Sequence, residues 1–234
     1  RQMCIRDSHM LANAKGKRIA LIINEFGDLG VDGDVLKGCG DEVCSEEDIV
    51  ELTNGCICCT VADDFIPTME KLLARKDRPD HIVIETSGLA LPQPLVAAFN
   101  WPGIKTQVTV DGVVTVVDSA AVAAGRFAHD HDKLDAQRLA DEGLDHESPL
   151  EELFEDQLTA ADLIILNKAD LVSAGDLEGV RAGIAGHLSR KPIFVEARQG
   201  EVAPEVLLGL GIGTEDDIAN RKSQHELHHS DCHE

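Results

Sequence analysis

Three cysteines stand within four residues, Cys56, Cys58 and Cys59, in the stretch Asn54-Gly55-Cys56-Ile57-Cys58-Cys59-Thr60. Thiolates at adjacent and alternate positions converge on one ion more readily than they staple distant segments, and sulfur suits zinc, cobalt and copper(I). A fourth ligand is left to Glu25, a histidine or water. Two other uses compete: buried thiols packing as small apolar side chains, and redox pairing of Cys56 with Cys59 at C-x-x-C spacing. Three thiols in four residues beside Asn-Gly and Thr favour metal. The chain has seven cysteines, an odd number, which argues for a reducing compartment over a disulfide framework.

A second constellation is Asn167-Lys168-Ala169-Asp170, placed after an apolar run. In this N-K-x-D context the Asp170 carboxylate accepts from the N1 and N2 hydrogens of guanine, a pairing adenine does not offer, while Asn167 and Lys168 brace the loops and the base face; the plainer reading is a chance polar loop. A third is Ile82-Val83-Ile84-Glu85-Thr86-Ser87-Gly88. There Glu85 supplies a carboxylate for a magnesium shell and Gly88 allows close approach to a γ-phosphate; the plainer reading is a buried strand ending in a polar turn. At the far end His225, His228, His229 and His233 crowd beside Cys232, a set that either captures divalent metal or forms a solvated tail. Cys39 and Cys44 flank an acidic loop, as extra ligands or bystanders.

These residues need a scaffold, and the pattern of apolar runs supplies one. Residues 19–24, 81–85, 113–118, 163–167 and 192–196 form short continuous apolar runs, expected of strands buried on both faces. Helical patterns at 65–76, 148–160 and 176–188 alternate with them. The alternation predicts an α/β fold with a doubly wound, mostly parallel sheet, whose ligands gather beyond the carboxyl ends of the strands. Asn24, Glu25, Glu85 to Gly88, Asp118 and 167–170 fall at those ends. Residues 1–8 fit no element and are read as a leader, 9–213 as the α/β domain, and 214–234 as an acidic, His-rich linker or tail; 129–146 is read as an insertion.

The formal charge of −22 repels phosphate backbones and anionic lipid heads, so neither a nucleic acid nor a membrane is expected as partner. The sequence has no apolar run of the roughly 20 residues a membrane helix needs and no signal-peptide pattern, which points to the cytoplasm.

In combination, N-E-F-G at 24–27, G-C-I-C-C at 55–59, E-T-S-G-L-A at 85–90 and N-K-A-D at 167–170 resemble the P-loop metallochaperone GTPases of the CobW/HypB/UreG group, over about residues 10–230. The segment 148–158 and the His-bearing end are most similar to the CobW branch. The resemblance implies a P-loop GTPase sheet and GTP hydrolysis, with magnesium, coupled to loading and release of a metal. The metal implied is cobalt for cobalamin biosynthesis in the CobW branch, with cobaltochelatase as client, and zinc for several relatives. Carried over, Cys56, Cys58 and Cys59 are metal ligands with Glu25 nearby. Asn167, Lys168 and Asp170 read guanine, Ala197 lies at the base, and Glu85 (the catalytic candidate) and Gly88 sense magnesium and γ-phosphate.

One motif departs from the group. The loop G-x-x-x-x-G-K-[ST] is absent; the Gly16-Lys17 pair is followed by Arg18. The expectation is therefore an N-terminally incomplete copy, also lacking the smaller C-terminal domain, with impaired GTP hydrolysis. A truncated first strand leaves a neighbour with unpaired edge groups, which predicts lowered stability and association, for instance as a homodimer. A GTP-dependent metallochaperone is the leading reading, a metal-binding module without enzymatic activity the second, and a thiol redox protein the third.

Overall fold

The computed structural model describes residues 16–24, 49–52, 65–86, 88, 90–126 and 150–221. In chain order the strands are β1 (Ile19–Asn24), β2 (Ile49–Leu52), β3 (His81–Glu85), β4 (Val114–Asp118), β5 (Leu163–Asn167) and β6 (Ile193–Glu196). The helices are α1 (Ile66–Leu73), α2 (Pro92–Ala98), α3 (Pro102–Lys105), α4 (Ser119–Ala123), α5 (Leu150–Ala160), α6 (Ala174–His187), α7 (Pro204–Leu207) and α8 (Thr214–Asp217), with single 3-10 turns at Ala169–Leu171 and Ile218–Asn220.

All pairings between the described strands are parallel and form two three-stranded sheets, ordered β2-β1-β3 and β4-β5-β6. Leu21 of β1 aligns with Ile49 and Val83, and Ile165 of β5 with Val116 and Val195. Successive residues of a strand point to opposite faces, so apolar runs feed a core on each side. Ala20 and Ile22 pack with Phe65, Met69 and Leu95, whereas Ile19, Leu21 and Ile23 meet Leu207 and Leu208. In the second sheet Ile164 and Leu166 pack with Leu158, Val180 and Ile184, and Leu163 and Ile165 with Val202 and Leu207.

Helix starts follow from local chemistry. Proline occupies the first turn of α1, α2, α3 and α7, where its missing N–H costs nothing. Ser173 caps α6 by accepting from the Asp176 N–H at 3.2 Å, and Asp118 caps α4 through the Ala121 N–H at 3.1 Å.

The strands expected at five positions are present, and the helices at 65–76, 148–160 and 176–188 appear as α1, α5 and α6. Residues 214–221, assigned by composition to the linker or tail, are instead folded onto the second sheet. Thr214 and Arg221 are buried and both bind Asp162, a buried carboxylate just before β5. One Asp162 oxygen accepts from Arg221 at 2.8 Å and Arg190 at 2.9 Å; the other accepts from the Thr214 hydroxyl at 2.6 Å and the Val113 N–H at 2.9 Å. Composition conceals this because the segment is polar, and a polar segment stays folded when its buried groups find partners.

Burial pushes the Asp162 carboxyl up, but the bonds from Arg221, Thr214, Val113 and Arg190 outweigh it and hold the group below its ordinary value. A lowered carboxyl contributes stability that is complete above its unfolded value of about 3.9 and is lost as pH falls through the folded value. Urea unfolding should therefore show Arg221→Ala destabilised by about 3 kcal/mol at neutral pH, since a buried charge loses its partner. Asp162→Asn should be destabilised at neutral pH and show a shallower loss of stability below about pH 4.

Candidate functional site

The strand ends of the second sheet are tied together around the loop after β5. Asn167 is buried, and its Oδ1 accepts the Gly200 N–H at 2.9 Å, joining this loop to the one after β6. The Ala169 N–H donates to the Ala197 carbonyl at 3.1 Å, and the Ala197 N–H donates to the Leu166 carbonyl at 2.9 Å. Both main-chain groups of the buried Ala197 are thus committed to holding the loops. Lys168 takes a left-handed backbone conformation, φ 58°, and pairs with the Asp118 carboxylate at the end of β4. Asp118 was visible in the sequence only as a polar strand end; its partner could not be named before β4 and β5 were set side by side.

With Asn167 and Lys168 so engaged, Asp170 stands exposed on the 3-10 turn, and its carboxylate has no partner among the described residues. The loop therefore offers a fixed frame and one open double acceptor. That is the donor–acceptor pattern a guanine edge requires.

The first sheet contributes the other pair. Glu85 ends β3 and is half-buried, and Gly88 follows, exposed. Gln157 of α5 holds this turn: its Nε2 donates to the Gly88 carbonyl at 2.8 Å and to the Ala90 carbonyl at 3.0 Å. A Cβ at Gly88 would meet nothing within 4 Å, so no neighbour in the chain demands glycine there. Gln157 gave no chemical signal in sequence, since an amide on a helix face reads as solvated until its turn of the helix is placed.

The predicted site residues thus fall on two half-sheets, Glu85 and Gly88 on the first and Asn167, Lys168, Asp170 and Ala197 on the second. Cys56, Cys58, Cys59 and Glu25 lie outside the described residues, as do Cys39, Cys44, the histidines from His225 onward and the insertion at 129–146. Among the described residues no group of three or more His, Cys, Asp and Glu is placed to hold a metal ion. No helix among them is long and apolar enough to cross a membrane.

Parallel strands with polar residues gathered at their ends define an α/β architecture whose ligands collect beyond those ends. Residues 8–195 match the CobW/HypB/UreG nucleotide-binding domain family. Two relatives, each named zinc chaperone CobW, are 75% identical over 221 residues (Sinorhizobium sp; 94% of this chain, 62% of that protein) and 56% identical over 222 residues (Pseudomonas aeruginosa; 93% and 59%). In fold, the chain is similar to the crystal structure of Zn(II)-bound YjiA GTPase from E. coli, with a TM-score of 0.54 at 22% identity, covering 92% of this chain and 58% of that one. The chain belongs to the CobW/HypB/UreG nucleotide-binding domain family. It spans about three fifths of the length of the two zinc chaperones it matches.

Removing the Asn167 amide should loosen the loop frame. Asn167→Ala leaves the buried Gly200 N–H without its acceptor, at about 1–3 kcal/mol. A lower urea midpoint together with faster hydrogen exchange at Gly200 is the expected result.

Proposed function

We propose that the chain is the nucleotide-binding and metal-handling part of a GTP-dependent metallochaperone, with zinc as its cargo. The single observation that carries the nucleotide half is the loop after β5, where Asn167 and Lys168 are locked by Gly200 and Asp118 while the Asp170 carboxylate stays open. Asp170 accepts from guanine N1 and N2; Asn167 and Lys168 hold it in place. On the first sheet, Glu85 would hold the magnesium shell, and the space beside Gly88 admits the terminal phosphate without a side chain in its path. Magnesium, when bound, neutralises phosphate charge and orients the transferring group.

Cys56, Cys58 and Cys59 are proposed as the cargo ligands with Glu25 as a further carboxylate, because thiolates take zinc in tetrahedral sites. The names of the two relatives favour zinc over the cobalt that the sequence resemblance attaches to corrin biosynthesis and a cobaltochelatase client. Cobalt(II) fits the same ligands and serves as the spectroscopic probe.

The test uses the 234-residue chain. GDP should displace a fluorescent guanine nucleotide and ADP should not. Asp170→Asn should weaken guanine binding about ten- to hundredfold, the worth of hydrogen bonds to a charged acceptor, and gain binding of xanthine nucleotides, whose C2 carbonyl accepts from the new amide. Equal competition by ADP, or an unchanged Asp170→Asn variant, overturns the base-reading assignment. In a parallel titration, zinc should displace cobalt(II) from thiolate charge-transfer bands that Cys58→Ser weakens. Bands unaltered by GTP and magnesium would support the reading of a metal-binding module without a nucleotide switch.

A further inference from the structure

The Asp118 carboxylate serves two elements at once. Its Oδ1 accepts the Ala121 N–H at 3.1 Å and so caps α4, and its Oδ2 accepts the Lys168 ammonium of the loop after β5. The pair is sheltered, with 15% of the Lys168 side chain and 16% of the Asp118 side chain exposed, so solvent screens it weakly. Register brings the partners together: Asp118 ends β4 opposite Asn167, the last residue of β5, which sets the next residue, Lys168, beside it.

Among the described residues neither bond has a substitute. α4 has five residues, too few to hold by helix propensity. Its first turn carries no acidic residue, and the hydroxyl of the fully buried Ser119 has no hydrogen-bond partner. The cap on this helix is therefore the work of Asp118. Lys168 for its part holds φ 58° and ψ 32°, a left-handed conformation that a residue with a side chain keeps only where its surroundings fix it. Its neighbours Asn167 and Ala169 are held through Gly200 and Ala197; its own side chain is held by Asp118. Val122 of α4 and Ala169 and Val172 beyond β5 pack against one apolar cluster, so the two elements already lie together, and the shared carboxylate adds a directional link.

We propose that Asp118 is a positioning residue that couples the loop after β5 to α4. With Lys168 paired, the carboxylate is held in the orientation that caps the helix; with the helix capped, it is held where Lys168 reaches it. Freeing either partner loosens the other. Resting on the base-reading role proposed above for Asp170, the same link makes α4 respond to the base: a guanine nucleotide that orders residues 167–170 tightens the Ala121 N–H, and by reciprocity whatever orders α4 strengthens nucleotide binding.

The test starts without nucleotide, from amide exchange at Ala121 in the 234-residue chain followed by nuclear magnetic resonance, with the amides of β1 as the control for global opening. Asp118→Ala should speed exchange at Ala121 about three- to tenfold, as a lost cap does. Lys168→Met should speed it about two- to fivefold although α4 itself is unchanged, and should add nothing in the Asp118→Ala background. Asp118→Asn keeps a capping oxygen but no charge for Lys168, and should match Lys168→Met. The coupling is overturned if Lys168→Met or Asp118→Asn leaves Ala121 at its original rate, if Lys168→Met acts equally in the Asp118→Ala background, or if β1 speeds up as much as Ala121. GDP with magnesium is then added, and it should slow Ala121 at least about twofold in the unsubstituted chain but not in Asp118→Ala. Resonance shifts at 167–170 with Ala121 unmoved overturn the link to the base. No shift at 167–170 overturns the base-reading role alone, and the nucleotide-free series still decides the coupling.

Discussion

Among the described residues the backbone ladder runs to β3 and resumes at β4, and this division sets the terms for the rest of the described fold. Parallel strands are normally held by evenly spaced main-chain bonds running across the whole sheet. Here the two halves are joined by side chains reaching to main chain: Gln157 to Gly88 and Ala90, Gln93 to the Asp156 carbonyl at 3.4 Å, and Asn100 to the Glu215 carbonyl at 2.8 Å. Glu215 in turn accepts from the Thr109 hydroxyl at 2.5 Å and the Val110 N–H at 2.9 Å. Each such bond contributes about 1 kcal/mol net, and Leu207 adds an apolar contact to both sheets.

This division explains why the polar end of the fold and its opposite end are built differently. Before β5, Asp162 draws β4, the turn before β6 and residues 214–221 to one buried carboxylate, so the second sheet is closed from below by charge. Beyond the strand ends, the loops are pinned by neutral bonds around Asn167 and Ala197 and by the Lys168 to Asp118 pair. A buried ion network with all its donors satisfied fixes geometry more than it adds net stability. Its value here is to hold β4, β5 and β6 in the register that brings Asp118 beside Lys168.

Most of the described scaffold was legible because apolar runs have one cheap solution in a parallel sheet. Leu163 to Asn167 reads as a strand from its unbroken aliphatic stretch, and it is buried throughout. Legibility failed where the deciding interaction was distant in sequence. Thr214 and Arg221 look like the start of a polar tail, and only the bonds to Asp162, 52 and 59 residues earlier, make them core. The loop at 167–170 stands out by its own tetrapeptide, but the partners that lock it, Asp118 and Gly200, lie 50 and 33 residues away. That Leu207 packs against both sheets follows only from the fold, since its contacts with Val83 and with Val114 and Val116 lie far away in sequence.

The charge distribution bears on how such a site treats a polyphosphate. The chain carries −22 formal charges, and the described strand ends present Glu85, Asp118 and Asp170. Lys168, in the loop after β5, is already paired with Asp118. An anion entering this region meets like charge unless fixed dipoles or a bound cation intervene, and at a few ångströms that repulsion is worth kilocalories per charge pair even at an effective dielectric near 20. On the proposed reading, recognition of the base would select the nucleotide without by itself retaining it, and a carboxylate at Glu85 would help only with a cation bound. Nucleotide binding at these strand ends would then depend on divalent cations before any thiolate is involved.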